Sequence, residues 1–189
     1  MPETKKAIYL TFDDGPHPEI TPFILDELSK YNATATFFCI GKNVVGNPDV
    51  YKRIIAEGHA VGNHTYDHLD GWKTPTADYL ANIVAAKEHI DSDLFRPPYG
   101  RITWKQQREL ARPGHAFKLI MWSVLSGDFD INISPEQCCR NVLMNTTSGS
   151  VIVFHDSEKA NDRIRYALPV VLKYFSEKGF VFEKIVLPA

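Results

Sequence analysis

The sequence predicts an α/β chain folded as a distorted (β/α) barrel of mostly parallel strands in one domain. Three observations carry this. Short apolar runs alternate with amphipathic stretches, the pattern of a parallel sheet covered by helices. Each segment rich in reactive side chains follows an apolar run, as in enzymes whose sites gather at the C-terminal ends of parallel strands. Finally, 189 residues, 44% hydrophobic and 23% charged, suit one ordinary core but are short for a complete eight-stranded barrel. No repeat, low-complexity stretch or linker divides the chain, so a single domain covers 1–189.

The elements follow in order. Residues 7–12, Ala7-Ile8-Tyr9-Leu10-Thr11-Phe12, read as the first strand and 20–31 as the first helix. Strand 34–40 contains Cys39 within an apolar run, where it reads as a small buried hydrophobe. Asn47-Pro48 opens a helix over 48–57 with proline near its first position, and Gly58 ends it. Strand 59–62, helix 76–91, strand 93–96, helix 103–111 and strand 117–122 come next. Ser134-Pro135-Glu136 opens helix 134–145, whose adjacent Cys138 and Cys139 lack a C-x-x-C spacing and read as structural. Strand 150–154, helix 161–178 and strand 180–185 complete the chain. Pro169 predicts a kink or a delayed start in the last helix, which Gly179 terminates.

The net charge of −2 gives no electrostatic reason for a nucleic acid or an anionic membrane as partner. No run of 18 apolar residues exists to span a bilayer, and Met1–Lys6 lacks the apolar stretch of a secretion signal. The expectation is a cytoplasmic chain unless a leader has been removed.

Two motifs carry the chemistry. Asp13-Asp14-Gly15 closes the first strand, and His64-Thr65-Tyr66-Asp67-His68 lies about fifty residues on. Alone, the first is more often a solvated turn and the second a chance pair on a helix surface. Together, one carboxylate and two histidines are the ligand set of a hydrolytic metal site with an open position for water. Asp14, His64 and His68 would bind a divalent cation, by default zinc, with cobalt, nickel or manganese able to serve in the same shell. Asp13 would be the general base, brought alongside by the Gly15-Pro16 turn.

Further along, Arg96 in Arg96-Pro97-Pro98-Tyr99 is a natural partner for that base, and the Tyr99 amide could donate to an oxyanion. Standing alone, this segment reads as a proline turn with a surface arginine. His155 ends the strand Val151-Ile152-Val153-Phe154 and suits a general acid. Asp156 orients a neighbour or simply caps the next segment. His59, His89 and His115 read as structural or solvated, and so does His17, with a minor site role possible from its nearness to Asp13.

These motifs, in this order, resemble the polysaccharide deacetylases of carbohydrate esterase family 4, the NodB homology domain, over about Ala7 to Ile185. The resemblance implies a distorted (β/α) barrel of seven or eight strands. It implies Asp13 as base, Asp14, His64 and His68 as metal ligands, and Arg96 holding the base. It also implies an oxyanion site at Tyr99, His155 as acid, and Val153 in the pocket for the acetyl methyl group. The family's D-x-x-D-W motif departs here to Leu125-Ser126-Gly127-Asp128-Phe129. Asp128 keeps the position implied to support Arg96, Phe129 keeps an aromatic groove wall, and Leu125 replaces the first acid.

The implied activity is metal-dependent removal of acetyl groups from a glycan such as chitin oligosaccharide or peptidoglycan, with O-acetylated xylan also within the family's range. Alternatives are the superfamily's cyclic amide and imide hydrolases, or a glycan-binding protein without turnover. A non-haem iron oxygenase also fits two histidines and a carboxylate, though not the additional base, arginine and distal histidine. Tyr66, Trp72, Tyr99 and Phe129 are the aromatics available to stack on sugar faces, while Trp104 and Trp122 are expected to pack.

Overall fold

The computed structural model describes residues 6–113 and 115–187. Strand β1 (Ala7–Asp13) is hydrogen-bonded to three others. Ile8, Leu10, Thr11 and Phe12 are wholly buried, as expected for a strand covered on both faces. Helix α1 (Ile20–Ser29) leads to β2 (Thr36–Cys39), and the short α2 (Gly41–Gly46) and α3 (Pro48–Ala56) lead to β3 (Ala60–Asn63). Helix α4 (Thr76–Lys87) precedes β4 (Leu94–Phe95), and α5 (Trp104–Leu110) precedes β5 (Lys118–Leu119) and β6 (Val124–Leu125). Helix α6 (Pro135–Asn145), β7 (Val151–His155), α7 (Asn161–Glu177) and β8 (Val181–Phe182) follow.

All pairings are parallel, in the order β5-β4-β3-β2-β1-β7-β6, with β8 joining the start of β1. Among the described residues β5 and β6 do not pair, so the sheet is an incomplete barrel, as the sequence predicts. Register decides function here. Asp13 aligns with Phe38 on one side and His155 on the other, and Asn63 aligns with Cys39 and Phe95. The C-terminal ends of β1, β3, β4 and β7 therefore stand level and carry Asp13, His64, Arg96 and His155 at one rim.

Phe12 stacks between Phe37 at 5.0 Å and Phe154 at 6.2 Å. This layer joins the helix contacts of α1, α6 and α7 into the main core. A smaller cluster of Tyr79, Ile83, Phe95, Leu110 and Phe117 lies under α4 and α5. All three cysteines are free and buried, and burial pushes the Cys138 thiol up to about 12, in keeping with a structural role.

Several boundaries differ from the sequence expectation. The expected strand 117–122 is cut short after Leu119, and β6 was not foreseen. The reason is that the carbonyls of Ile120 and Met121 accept from the Arg96 side chain rather than continuing a ladder. Helix α2 was missed because glycines, poor helix formers, stand at both its ends. Pro169 neither ends nor delays α7, which begins at Asn161 and keeps Ile164, Ala167, Leu168, Val171, Leu172 and Phe175 buried. Trp104 is not packed but 78% exposed. Trp122 is partly buried, as expected, and lies 5.6 Å from the Arg96 guanidinium.

Candidate active site

The β1 turn brings Asp13 and Asp14 to one point through backbone geometry. Neighbouring strand residues face opposite sides, but Asp14 adopts φ 84°, which turns its side chain back toward the rim. Such a conformation costs a non-glycine residue energy, and surrounding bonds enforce it. The Asn43 side chain donates to the Asp14 carbonyl at 2.7 Å, and Gly15 N–H donates to the buried Asp156 carboxylate at 2.7 Å. Thr21 Oγ1 donates to the other Asp156 oxygen at 2.5 Å. Burial raises the Asp156 pKa to about 7. A Cβ on Gly15 would stand 1.9 Å from Asp156 Oδ2, so only glycine fits. Asp156 thus orients the Asp13–Gly15 turn from behind.

The two histidines do not share a helix face. Residues 64–68 form an irregular turn with Thr65 at φ 63° and His68 at φ 60°. Asn63 Oδ1 accepts from Thr65 N, Thr65 Oγ1 accepts from Leu69 N, and Asn82 Oδ1 accepts from both Tyr66 N and Asp67 N. The imidazoles end 5.1 Å apart. His64 Nδ1 lies 2.8 Å from the Arg96 carbonyl. A carbonyl only accepts, so Nδ1 carries the proton and Nε2 presents its lone pair. Burial lowers the His64 pKa to about 4, which keeps the ring neutral and able to ligate.

Asp14 Oδ1 lies 3.6 Å from His64 Nε2 and 3.1 Å from His68 Nε2, and among the described residues this buried oxygen has no hydrogen-bond partner. Burial acts to raise its pKa, but His68 against it, with His155 and His64 near, holds the carboxyl below the ordinary range. One potential ligand atom from each of Asp14, His64 and His68 lies within 4.8 Å of the others. An orphaned carboxylate oxygen facing two imidazole nitrogens is a donor set that fits a divalent cation.

Beside it, Asp13 accepts from Arg96 Nη1 at 2.7 Å. Arg96 is wholly buried and fully held: Nη1 also reaches Thr11 Oγ1 at 2.6 Å, Nε reaches the Ile120 carbonyl, and Phe38 lies under the guanidinium at 4.1 Å. The surface-arginine alternative therefore does not hold.

Asp128 does not support Arg96. Its carboxylate accepts from the His155 backbone N–H at 2.6 Å and lies 2.7 Å from His155 Nδ1, with Ser126 Oγ as a further donor at 3.0 Å. Asp128 lies in the turn that follows β6, a strand next to β7 and not to β4, so His155 is what it can reach. Arg163 Nε holds the Asp128 carbonyl at 2.6 Å. Burial alone would lower the His155 pKa, but Asp128, with Asp14 and Asp13 adding to it, raises it to about 9.

Asp13, Asp14, His64, His68 and His155 open into one cavity of about 630 Å³, lined also by Tyr99, Trp122, Leu125, Phe129 and Val153. Tyr99 is 60% exposed, sits at φ 60° and packs edge-on to His68 at 4.7 Å. Phe129 packs edge-on to His155 at 5.2 Å, and Val153 is buried in the cavity wall. His17 lines the rim and pairs with Glu158 at 3.3 Å. Tyr66 leaves the site and packs between the core and His89. Sequence reasoning missed Asn43, Asn63 and Asn82, which hold the strained turns. Only the adjacency of Asn63 to His64 offered a signal.

Residues 1–117 match the family described as Polysaccharide deacetylase. A peptidoglycan-N-acetylglucosamine deacetylase of Bacillus cereus is 38% identical over 162 residues, covering 82% of this chain and 58% of its own length. A chitooligosaccharide deacetylase of Bradyrhizobium is 34% identical over 158 residues, covering 80% of this chain and 71% of its own. The chain thus spans under two thirds of the first relative and somewhat more of the second. Among solved structures, the Bc1960 peptidoglycan N-acetylglucosamine deacetylase, bound to a naphthyl N-hydroxybenzamide, superimposes with a TM-score of 0.88. It shares 34% identity over 97% of this chain and 88% of that one. With the matched segment covering more than half of its length, the chain belongs to the polysaccharide deacetylase family.

Proposed function

We propose that this chain hydrolyses the acetamide of N-acetylglucosamine residues in a peptidoglycan- or chitin-type glycan. The observation that carries the reading is convergence. A metal-compatible triad, a carboxylate held by a buried arginine and a histidine held by a buried carboxylate all face one cavity. The deacetylase relatives favour the same reaction class.

Asp14, His64 and His68 would hold the cation. When bound, it would polarise the acetyl carbonyl and lower the pKa of water. Asp13 accepts the proton of the attacking water. Arg96 fixes that carboxylate through a buried Nη1–H at 2.7 Å, and the same nitrogen is anchored by Thr11 Oγ1. The Tyr99 N–H donates to the oxygen that gains charge. His155 enters the reaction protonated and gives its proton to the departing nitrogen, and Asp128 keeps it charged for that step. Val153 and the apolar wall of Leu125, Trp122 and Phe129 receive the acetyl methyl and exclude water.

Acetate release tests this. Chelator-stripped protein is assayed with and without zinc or cobalt on chitin oligomers, peptidoglycan fragments and acetyl-xylan. Metal-dependent release from the N-acetylated glycans is expected. Release from xylan alone would replace the amide reading with an ester one, and no release with metal bound would overturn both.

A further inference from the structure

Outside the cavity, one group of exposed side chains is held as firmly as a core. Trp72 is 65% exposed, yet its indole N–H donates to the Ile102 carbonyl at 3.3 Å and its backbone N–H to Asp70 Oδ1 at 3.0 Å. The second Asp70 oxygen accepts from Arg101 Nη1 at 2.8 Å. One partly buried carboxylate therefore fixes both residues. The Arg101 guanidinium lies 5.2 Å from the Trp72 ring and 5.7 Å from the Tyr99 ring. Beneath the turn, the wholly buried Gln106 donates to the carbonyls of Gly71 and Thr74 at 2.9 and 3.2 Å. A Cβ on Gly71 would stand 2.4 Å from the Arg101 carbonyl, so the two segments are in close contact.

The contacts run from His68 through Tyr99 and Arg101 to Trp72, a ridge of which His68 and Tyr99 line the cavity and Arg101 and Trp72 do not. Large rings left in water but locked in place are poor structural investments and good binding surfaces. Their flat faces match the C–H faces of a pyranose. Arg101 spends one N–H on Asp70 and retains four donors for ring hydroxyls or an acetamide oxygen. Locking the side chains beforehand removes the ordering cost that a flexible tryptophan and arginine would incur on binding.

We propose that Trp72 and Arg101, continuing from Tyr99, form an accessory subsite for a sugar of the same glycan chain beyond the residue whose acetyl group reacts. This rests on the glycan reading above and adds a selection for chain length.

The test compares wild type, Trp72→Ala and Trp72→Phe on dimers and tetramers of N-acetylglucosamine, and on peptidoglycan glycan strands of the same lengths. Calorimetry on metal-free protein measures tetramer affinity separately. The tetramer-to-dimer ratio of kcat/KM should fall about five- to tenfold in Trp72→Ala, as expected for one lost stacking face. Tetramer affinity should fall by a similar factor, and Trp72→Phe, which keeps a ring, should recover most of both. An unchanged ratio and affinity, or equal losses on dimer and tetramer, would overturn the subsite. Should wild type release no acetate, the functional reading fails alone. Trp72-dependent tetramer affinity would still support the ridge, and its absence would refute it.

Discussion

Asp128 grips His155 at two points, taking the backbone N–H on one carboxylate oxygen at 2.6 Å and facing ring Nδ1 with the other at 2.7 Å. This fixes both the position of the imidazole and its charge. Replacing Asp128 with Asn removes the charge that holds the His155 pKa at about 9. The basic limb of the kcat/KM profile should then move down toward about 6.5, with at least a tenfold loss of rate above neutrality. A pH–rate profile checks this, and an unmoved basic limb would remove His155 from the acid role.

The same pair makes the fold sensitive to pH. His155 titrates higher in the folded protein than in the unfolded chain, so its stabilisation is fully present below about pH 6.5. It is lost as pH rises through about 9. Urea denaturation of metal-free protein should show a decline of a few kcal/mol across that window, absent from Asp128→Asn.

Asp13→Asn should retain metal and lose at least two orders of magnitude in rate. It also leaves Arg96 wholly buried without its counter-charge. Breaking a buried pair costs about 3–5 kcal/mol, and the amide oxygen still accepts one N–H, so the lower end is expected. Rate and denaturation midpoint are read on the same sample, and near-native turnover would exclude Asp13 as base.

Zinc added to stripped wild type should raise the melting temperature, as expected for a cation that only the folded triad can hold. At a hundredfold excess over Kd the gain is about 2.7 kcal/mol. His64→Ala should abolish that rise and lower zinc affinity by more than the roughly 10–100-fold that an outer-shell loss costs. Thermal shift and calorimetry give the two readouts. Undiminished zinc binding in His64→Ala would place the cation elsewhere.

Gly15→Ala forces a Cβ to within 1.9 Å of Asp156 Oδ2. Displacing that carboxylate frees the Asp13–Asp14 turn, at a cost of about 1–3 kcal/mol and most of the activity. Gly46→Ala is the control, because a Cβ there meets nothing within 4 Å. Equal behaviour of the two variants would show that Asp156 does not set the turn.

By itself the sequence determined what is chemical and local. The alternation of apolar runs and amphipathic stretches prescribes a parallel α/β sheet. Asp13, Asp14, His64, His68 and His155 are named by residue type and by their place after strands, because proton affinity and ligand character belong to the side chain. Partnership does not belong to it. That Asp128 serves His155 and not Arg96 follows from β6 lying beside β7, a pairing no spacing along the chain encodes. That His64 and His68 meet in a left-handed turn follows from Asn63 and Asn82, the latter reaching in from α4. Trp72 was legible as an exposed ring, but its bond to Arg101 through Asp70 was not. Distance and burial set the strength of hydrogen bonds and charges, and only the folded register supplies either.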